Sequence, residues 1–435
     1  MSFPRYPKYK DSGVEWLGQV PEHWSVKRIG YYFNERREKV SDKDFPALSV
    51  TKNGIVPQLD TAAKSDDGDN RKKVLKGDFV INSRSDRKGS SGASDLDGSV
   101  SLICTVMRPQ EQVHTPFVHH LLRSQPFQEE FYRNGKGIVA DLWSTNYSEM
   151  RNIVLGMPPM SEQARIAEFL DQETAKIDAL VAEQERLMAL LKEKRQAVIS
   201  HAVTKGLNPK AAMKPSGIEW LGDVPAHWEV KPLKYSITKI EQGWSPQCES
   251  DPAEPNKWGV LKVGCGNRDE FDPTEQKALP LDIEPQPNYE IKAGDILMSR
   301  GNTLELVGMA TFVRQVRPHL LLSDLLYRFH AKPERAESEF LVFSLRSPNV
   351  RFQIERDAVG ASHTMKKIGQ GTIREFVIAL PPLIEQRAII EFTRKEISGL
   401  DTLTAEAQRA IDLLQERRTA LISAAVTGQI DVRRA

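Results

Sequence analysis

The residues SGVEWLGQVPEHWSVK at 12–27 return as SGIEWLGDVPAHWEVK at 216–231, and this repetition decides the fold. The offset is 204 residues without a gap, and 12 of the 16 positions are identical. A second pair of matching segments, 158–204 and 381–427, aligns without a gap at an offset of 223. Each begins with two prolines and ends on Ala-Val-Thr. The chain therefore consists of two tandem copies of one unit.

Length and composition are those of an ordinary globular protein. A chain of 435 residues is too long for one hydrophobic core, and two units of about 210 residues suit its length. The hydrophobic fraction is 40%, and no apolar run approaches the roughly 18 residues that a membrane helix needs. The N-terminal residues carry no apolar segment of a secretory signal, so we expect a cytoplasmic protein.

Charge and cysteine content narrow the function classes further. The 60 basic and 59 acidic residues leave a net charge of +1, whereas many nucleic-acid binders are strongly basic. Any positive charge that binds DNA must therefore be local or come from a partner. Cys104, Cys248 and Cys265 form no CxxC pair, which argues against a disulfide framework or a zinc cluster. We expect no metal site.

Each copy closes on a helical pattern of about 40 residues, or about 60 Å at 1.5 Å per residue. Apolar residues recur at alternating spacings of three and four, which is typical of a coiled-coil seam. In the first copy the predicted seam contains Ile166, Leu170, Ile177, Leu180, Leu187, Leu191 and Val198. In the second copy it contains Ile389, Leu400, Leu403, Ala407, Ala410, Leu414 and Leu421.

The natural partner of each long helix is its own copy, because a narrow apolar seam must be buried. A pseudo-two-fold axis would make the pair antiparallel and bring Glu173 to Arg417, or else these charged side chains point to solvent. By the same symmetry, Lys194 would approach Glu396. A second apolar set lies off the predicted seam and either packs on the globular bodies or docks another subunit. For docking we predict Phe169, Met188, Leu190, Phe392, Ile411 and Leu413.

Between the Trp-rich opening and the long helix, each copy mixes short β-like runs with helical stretches. One short motif recurs there, GDFVINSR at 77–84 and GDILMSR at 294–300, and the rest has diverged. We predict a mixed α/β (α+β) fold with two globular domains, related by a pseudo-two-fold and separated by two long helices that form an antiparallel coiled coil. The predicted segments are a first globular domain at 1–157, a first long helix at 158–205, a linker at 206–212, a second globular domain at 213–380, and a second long helix with the C-terminal tail at 381–435.

The sequence contains no recognisable catalytic motif. A GxxxxGK[ST] phosphate loop, a GxSxG elbow and an HExxH pair are all missing. The two proline pairs read MPPM and LPPL, without the asparagine and the aromatic residue of the amino-methyltransferase motif. We therefore predict no catalytic residue in this chain.

Loops at equivalent places in the two copies carry the chemistry of DNA binding. Arg can bond guanine through two hydrogen bonds, Asn can read adenine, and Lys and Ser hold phosphates. Each loop alone is more often explained as a solvated loop, and the recurrence at the same place in both copies makes DNA binding an equally good explanation. The candidates in the first copy are Arg71, Lys72, Lys73, Asn82, Arg84, Arg87, Lys88, Ser144, Asn146 and Tyr147. Those in the second copy are Arg300, Asn302, Thr303, His363, Thr364, Lys366 and Lys367.

The tryptophan motif itself is interpreted as structural. Trp16 and Trp24 in the first copy, like Trp220 and Trp228 in the second, suit a rigid aromatic plug packed into each body. An aromatic cage for a ligand is the alternative.

The paired SG[VI]EWLGxVPxHW openings, the PPxxEQ helix starts, the AVTKGLNP linker and the AVTGQID ending resemble the specificity subunits of type I restriction-modification systems. The resemblance covers the whole chain. It implies two target-recognition domains that each read one half of a bipartite, asymmetric site in double-stranded DNA. It further implies that the long helices dock two methyltransferase (modification) subunits, which restriction (nuclease-translocase) subunits can join.

In such a complex, S-adenosylmethionine is expected on the methyltransferase subunits, and this chain would hold no cofactor and catalyse nothing by itself. Two alternatives stay open at this point. One is a protein scaffold without DNA readout, and the other is a stand-alone methyltransferase or nuclease.

Overall fold

The computed structural model describes residues 3–59, 68–137, 143–248, 250–268, 270–360 and 365–434. The chain forms two compact units. Unit 1 consists of residues 1–186 and 407–435, and unit 2 of residues 187–406. The segments predicted from the sequence have their boundaries at the ends of the long helices. The boundaries between the two compact units instead fall within these helices, because the two ends of each long helix pack in different units.

Unit 1 contains a body of short strands and helices. Its strands are β1 (Tyr9–Asp11), β2 (Gln19–Pro21), β3 (Ser25–Arg28), β4 (Phe33–Glu35), β5 (Lys39–Val40), β6 (Leu48–Thr51), β7 (Gly54–Pro57), β8 (Arg71–Val74), β9 (Phe79–Asn82), β10 (Ser91–Ala93), β11 (Gly98–Val100), β12 (Cys104–Pro109) and β13 (Val154–Met157). Its helices are α1 (Ile29–Tyr32), α2 (Thr115–Leu121), α3 (Gln125–Arg133), α4 (Tyr147–Met150), the first part of α5 (Met160–Lys205) and the last part of α9 (Leu383–Val426).

Unit 2 has a body of the same kind. Its strands are β14 (Met213–Pro215), β15 (Asp223–Pro225), β16 (Glu229–Pro232), β17 (Glu241–Gln242), β18 (Gly259–Leu261), β19 (Gln276–Ala278), β20 (Ile296–Ser299), β21 (Gly301–Asn302), β22 (Ala310–Phe312), β23 (Leu320–Leu321), β24 (Leu326–Phe329), β25 (Lys366–Lys367) and β26 (Val377–Leu380). Its helices are α6 (Ser338–Arg346), α7 (Pro348–Asp357), α8 (Gln370–Glu375), the last part of α5 and the first part of α9 (Leu383–Val426).

The recurring GD motif forms an inner strand of an antiparallel four-stranded sheet in each unit. The strand order is β10-β9-β12-β4 in unit 1 and β17-β24-β20-β22 in unit 2. Before the strand, Gly77 and Gly294 take positive φ angles of 92° and 99°, which glycine adopts without strain. The next residue, Asp78 or Asp295, is buried and accepts the backbone N–H three residues earlier. The motif thus recurs because it builds the same turn and the same strand twice.

The tryptophan motif is tied to the start of the long helix that follows in its own unit. Glu162 Oε1 accepts hydrogen bonds from Trp24 Nε1 at 3.0 Å and Tyr6 Oη at 2.6 Å, and its Oε2 lies 2.7 Å from His23 Nε2. In unit 2, Glu385 binds Trp228 Nε1 at 3.1 Å and lies 2.8 Å from His227 Nε2. Trp24 and Trp228 are fully buried, in keeping with the structural interpretation of the motif.

The glutamine after this glutamate secures the body of the unit. Gln163 donates to the carbonyl oxygens of Pro158 and Gln112, and its own carbonyl accepts the backbone N–H of His114. Gln386 makes the equivalent three bonds in unit 2. At the start of each long helix, the glutamate therefore binds the tryptophan motif. The glutamine that follows it binds the segment before α2 in unit 1 and before α6 in unit 2.

The end of the other long helix closes on the same tryptophan motif. In unit 1, Gly428 follows α9 with a φ of 76°, and a Cβ added there would lie 2.3 Å from Pro21 Cδ. In unit 2, Gly206 follows α5 with a φ of 73°, and an added Cβ would lie 3.1 Å from Trp228 Cζ2. Both positions need glycine for its left-handed backbone, which commonly ends a helix, and for the close approach to the motif.

Within each unit the two long helices run antiparallel. Along unit 1, Glu162 lies beside the residues that follow α9, and 16 residues later Asp178 pairs with Arg418 inside α9 at 2.8 Å. In unit 2, Arg195 of α5 pairs with Asp401 of α9. The prediction of a mixed α/β fold with two long helices packed on each other is therefore confirmed.

Three of the fourteen predicted seam residues, Leu180, Leu187 and Leu403, are exposed, so the seam departs from the predicted stripe. Leu170, Ile177, Leu191 and Val198 lie on it as predicted, but the intervening contacts fall one residue later. The face that turns inward along α5 carries Thr174, Val181, Met188 and Arg195, while Leu180 and Leu187 are exposed. The equivalent face of α9 carries Leu400, Thr404, Ala407, Ile411, Leu414, Arg418 and Leu421, while Leu403 is exposed.

Polar pairing explains this choice of face. The predicted stripe would have carried Glu173 and Lys194 inward, but Glu173 instead binds Lys176 of its own helix at 2.6 Å. Thr174 faces inward without leaving a buried hydroxyl unsatisfied, because its hydroxyl donates to the Leu170 carbonyl at 2.7 Å. The two arginines on the real stripe, Arg195 and Arg418, have aspartates to pair with.

The correction changes the set of residues predicted for docking. Ile411 is only 5% exposed and lies on the seam, so its assignment to a docking surface is wrong, and Met188 is half-buried on the same stripe. Phe169 packs edge-on against Phe3 with ring centroids 5.4 Å apart. Leu190, Leu413 and Phe392 are exposed.

Candidate nucleic-acid interface

In unit 1 the loop after β9 meets the segment that precedes the long helix. Ser83 and Arg84 follow the end of the inner strand. The Ser83 carbonyl accepts the Thr145 N–H, and Arg84 forms an antiparallel backbone bridge with Ser144. The backbone N–H of Ser85 donates to the Trp143 carbonyl at 2.9 Å. We call this surface patch 1, defined by residues 82–88 and 143–147. The two predicted loops, about 60 residues apart in sequence, thus form one surface.

Unit 2 builds the corresponding surface from β21 and β25. Gly301 pairs with Lys367 and Asn302 with Lys366 in an antiparallel register, and the Arg300 carbonyl accepts the Ile368 N–H at 2.9 Å. We call this surface patch 2, defined by residues 300–303 and 365–367. His363 and Thr364 lie outside the described residues. The structure therefore joins the loop after the inner strand to the segment before the long helix in both units.

Patch 1 presents basic and amide side chains to solvent. The side chains of Arg84 and Arg87 are 43% and 68% exposed, and Asp86 lies between them, 2.9 Å from Arg84 Nε. Lys88 and Asn146 are also exposed, and Ser144 is half-buried. Asn82 accepts the Arg84 N–H with its side-chain oxygen at 3.1 Å, which fixes the start of the loop. Tyr147 uses its hydroxyl internally, because it donates to the Phe33 carbonyl at 2.6 Å.

The three basic residues at the start of β8 lie apart from this loop. Arg71 is buried and donates to the hydroxyl and carbonyl oxygens of Ser99. Lys72 donates to the Cys104 carbonyl at 2.7 Å, and Lys73 binds Glu38 at 2.8 Å. All three are engaged inside unit 1, and their contact with DNA stays a prediction.

Patch 2 is chemically different from patch 1. Asn302 donates to the side chain of Asn267 at 3.1 Å and accepts the Thr303 N–H at 2.9 Å. Lys366 donates to the Gly360 carbonyl at 2.6 Å, while Lys367 is exposed. Arg300 is half-buried beside the Asp324 carbonyl. Two similar frames therefore display different side chains.

Sequence reasoning missed two residues of these surfaces. Lys136 exchanges both backbone hydrogen bonds with Ser144 and binds Glu149 at 3.2 Å, so it borders patch 1. Asn267 borders patch 2 through Asn302. Neither belongs to a recurring motif, and only the folded chain brings them to the loops.

Two of the three cysteines, Cys104 and Cys265, are buried and unsuited to act as nucleophiles at neutral pH. Burial raises the pKa of the Cys104 thiol to about 11 and that of Cys265 to about 12, so both thiols stay protonated. Within the described ranges, no group of three or more His, Cys, Asp or Glu side chains is arranged to hold a metal ion. Among the same residues, no helix has both the length and the apolar character needed to cross a membrane.

Comparison with known proteins agrees with this architecture. Residues 225–411 match the family model of the Type I restriction modification DNA specificity domain. The EcoEI specificity subunit of Escherichia coli is 30% identical over 206 residues, which is 47% of this chain and 34% of that protein. In that match the chain thus spans about a third of the relative's length. The EcoKI subunit of E. coli and the StySPI subunit of Salmonella potsdam are 25% and 22% identical, each over 82% of this chain and 76% of the relative.

The same fold occurs in a solved structure of a type I restriction-modification system. The TM-score is 0.68 at 18% identity, over 94% of this chain and 98% of the other. The internal repeat and the relatives agree: this chain is similar to the specificity subunits of type I restriction-modification systems.

Proposed function

We propose that this chain is a specificity subunit that reads a bipartite, asymmetric site in double-stranded DNA, with one half-site for each unit. The observation that carries the proposal is the pair of patches. Each is built at the same place on the same frame, yet patch 1 offers Arg84, Arg87 and Asn146 where patch 2 offers Asn302, Thr303 and Lys367. A shared frame with different polar side chains suits two different base sequences, since bases are read by such groups.

The long helices are proposed to dock two methyltransferase subunits. Unit 1 exposes Leu180 and Leu413, and unit 2 exposes Leu190 and Leu403. These leucines are equivalent in pairs at the offset of 223, so the two units offer the same apolar stripe. Exposed apolar stripes on soluble helices mark association surfaces, and two equal stripes suit two identical partners.

In this proposal the chain supplies specificity and no chemistry of its own. S-adenosylmethionine is bound by the methyltransferase subunits, and restriction subunits join the complex from outside. The assignment rests on the family and on the recognition role named in the relatives, and the two patches support it by offering polar readout groups.

Sequencing of methylated sites in cells tests the proposal. Cells that express this chain with its methyltransferase subunit should modify one bipartite sequence with a fixed gap, and cells without the chain should not. Methylation of unrelated sequences would favour a scaffold without DNA readout. Methyl transfer or cleavage by the purified chain alone would favour a stand-alone enzyme.

A further inference from the structure

Unit 1 contains a basic cavity of about 360 Å³ beside patch 1. The cavity lies between the loop after β9, the body helices α2 and α3, and the last part of α9. Its lining includes the cationic or imidazole side chains of Lys52, Lys88, His119, His120, Arg123 and Arg418. The described lining contains no Asp or Glu.

Three of the four lysine and arginine side chains in this lining have no anionic partner among the described residues. Arg418 is paired with Asp178 and His120 with Asp171. Across the described part of the chain, however, no carboxylate oxygen lies within 4.0 Å of the Lys52, Lys88 or Arg123 nitrogens. Arg123 is half-buried and donates to the Lys52 carbonyl. A partly buried cation without a counter-ion is unfavourable, so the cavity is suited to receive an anion.

The hydrogen bonds of His119 point to the same ligand. Its Nδ1 accepts the Ala93 N–H at 3.2 Å, so a neutral ring carries its proton on Nε2. That nitrogen lies 2.5 Å from Arg123 Nη1, which is also a donor. Burial, with the Arg123 charge beside it, lowers the pKa of His119 to about 4, so the ring stays neutral near pH 7. Two donors thus converge here, and an oxyanion would accept from both.

The equivalent cavity of unit 2 serves as an internal comparison. Residues FVHHLLRS at 117–124 correspond to FLVFSLRS at 340–347 at the offset of 223. Arg346 and Arg195 therefore take the places of Arg123 and Arg418, and both line the cavity of unit 2. There the histidines become Val342 and Phe343, and the lining gains Glu270 and Asp401. The frame is repeated, but the carboxylates differ. The described lining in unit 1 has no carboxylate, whereas in unit 2 Glu270 and Asp401 offset part of the charge of four arginines, Arg195, Arg314, Arg346 and Arg394.

The cavity is continuous with patch 1. Lys88 lies 5.2 Å over the Tyr132 ring, and the Gly89 N–H donates to the Tyr132 hydroxyl at 3.1 Å. Gly89 has a φ of 78°, and a Cβ added there would lie 3.2 Å from Gln128 Oε1. Glycine thus lets the loop that carries Arg84 and Arg87 turn tightly onto α3 and place Lys88 at the cavity.

We propose that this cavity binds one phosphate group of the DNA backbone next to the first half-site. The inference rests on the proposed function, because the phosphate belongs to the duplex that patch 1 reads. A phosphate carries the same charge in every sequence, so the contact adds affinity and register without reading bases.

Salt-dependent DNA binding of the assembled complex tests the proposal. In the double variant Lys52→Gln/Lys88→Gln, the slope of log K against log salt concentration should become shallower by about one, as expected for one lost phosphate. The loss of affinity should be equal on cognate and scrambled duplexes, and the methylated sequence should not change. Lys52→Arg/Lys88→Arg should keep the slope. The matched control, Lys8→Gln/Lys176→Gln, removes the same charge elsewhere in unit 1 and should also keep it.

Four outcomes would overturn the inference. A normal slope in the double variant, with intact DNA binding by the unaltered complex, would remove the phosphate site and leave the proposed function standing. Loss of methyltransferase assembly with normal DNA affinity would show that an acidic partner group fills the cavity. If inorganic phosphate raises the melting temperature of the unaltered chain but not of the variant, while the DNA slope is unchanged, the site takes free phosphate. Absence of sequence preference in the unaltered complex would overturn both proposals.

Discussion

Asp178 of α5 accepts a hydrogen bond of 2.8 Å from Arg418 Nε of α9, inside unit 1. The residues 223 positions away, Arg195 and Asp401, form the same ion pair in unit 2 with the helix roles exchanged. The two pairs fix which residues of the antiparallel helices lie side by side. They also show that the register obeys the internal symmetry of the sequence.

We predict that Asp178→Arg lowers the free energy of unfolding by about 1 kcal/mol, because it removes a partly exposed ion pair and adds repulsion. The exchanged variant Asp178→Arg/Arg418→Asp should recover most of this loss. Urea unfolding of the purified chain measures both effects. The control Glu173→Arg should change stability by less than about 0.5 kcal/mol, because among the described residues Glu173 forms its ion pair with Lys176 of its own helix and none with α9. A larger loss of stability for Glu173→Arg would support the register predicted from the sequence, in which Glu173 approaches Arg417.

The buried carboxylate of Glu162 should make stability depend on pH. Burial alone raises the pKa of this carboxyl, but the hydrogen bonds from Tyr6, His23 and Trp24 outweigh it and hold the pKa below its ordinary value of 4.5. A lowered folded-state pKa contributes stability above the unfolded pKa and loses it as pH falls through the folded pKa. Part of the stability should therefore disappear below about pH 4.5, and Glu162→Gln should flatten that loss.

Glu162→Gln should also cost about 2–3 kcal/mol at pH 7, because hydrogen bonds to a charged acceptor are replaced by weaker ones. Glu385→Gln is the matched variant in unit 2. It should cost less, because within the described ranges the Glu385 carboxylate has two partners, His227 and Trp228, and its side chain is 26% exposed. Thermal unfolding from pH 3 to pH 8 compares the two variants. Equal costs would contradict the assignment of the third bond to Tyr6.

Patch 1 and patch 2 should be separable by mutation. Arg84→Ala should weaken or relax recognition of the first half-site only, by about 1–3 kcal/mol. Arg300→Ala should do so for the second half-site only. Site sequencing after methylation in cells reads both halves at once. An equal loss at both halves for either variant would indicate general phosphate contact or misfolding instead of base readout.

The exposed leucines should control the number of docked methyltransferase subunits. Leu413→Arg in unit 1 and Leu190→Arg in unit 2 place a charge on equivalent stripes, and each should leave a complex with one methyltransferase. The double variant should bind none, and native mass spectrometry reads the stoichiometry. Lys176→Glu is a control on an exposed polar position of α5 and should leave two docked subunits. Two docked subunits in the double variant would contradict docking at these stripes.

Much of the frame was predictable because it repeats. The two tryptophan motifs, the helix starts and the GD motif each appear twice in the sequence, and each builds the same local structure twice. A further repeat, Leu122-Arg123-Ser124 with Leu345-Arg346-Ser347, was missed, although the offset of 223 would have found it. The bodies were predictable only as mixed α and β, because their strands are short and their pairings join distant residues such as Arg84 and Ser144.

The sequence by itself determined that the chain is two copies of one α/β unit, each with a long helix, because periodicity and repetition are local properties. It did not determine the seam. Leu180 and Val181 lie on adjacent stripes of α5, about 100° apart, and apolar spacing alone allows either stripe to turn inward. The tertiary structure fixes which stripe faces inward. Glu162 binds Trp24 of the tryptophan motif at the start of α5, and Asp178 pairs with Arg418 further along the helix. The tertiary structure also placed the loops of each patch together, since only the folded body joins segments so far apart in the chain.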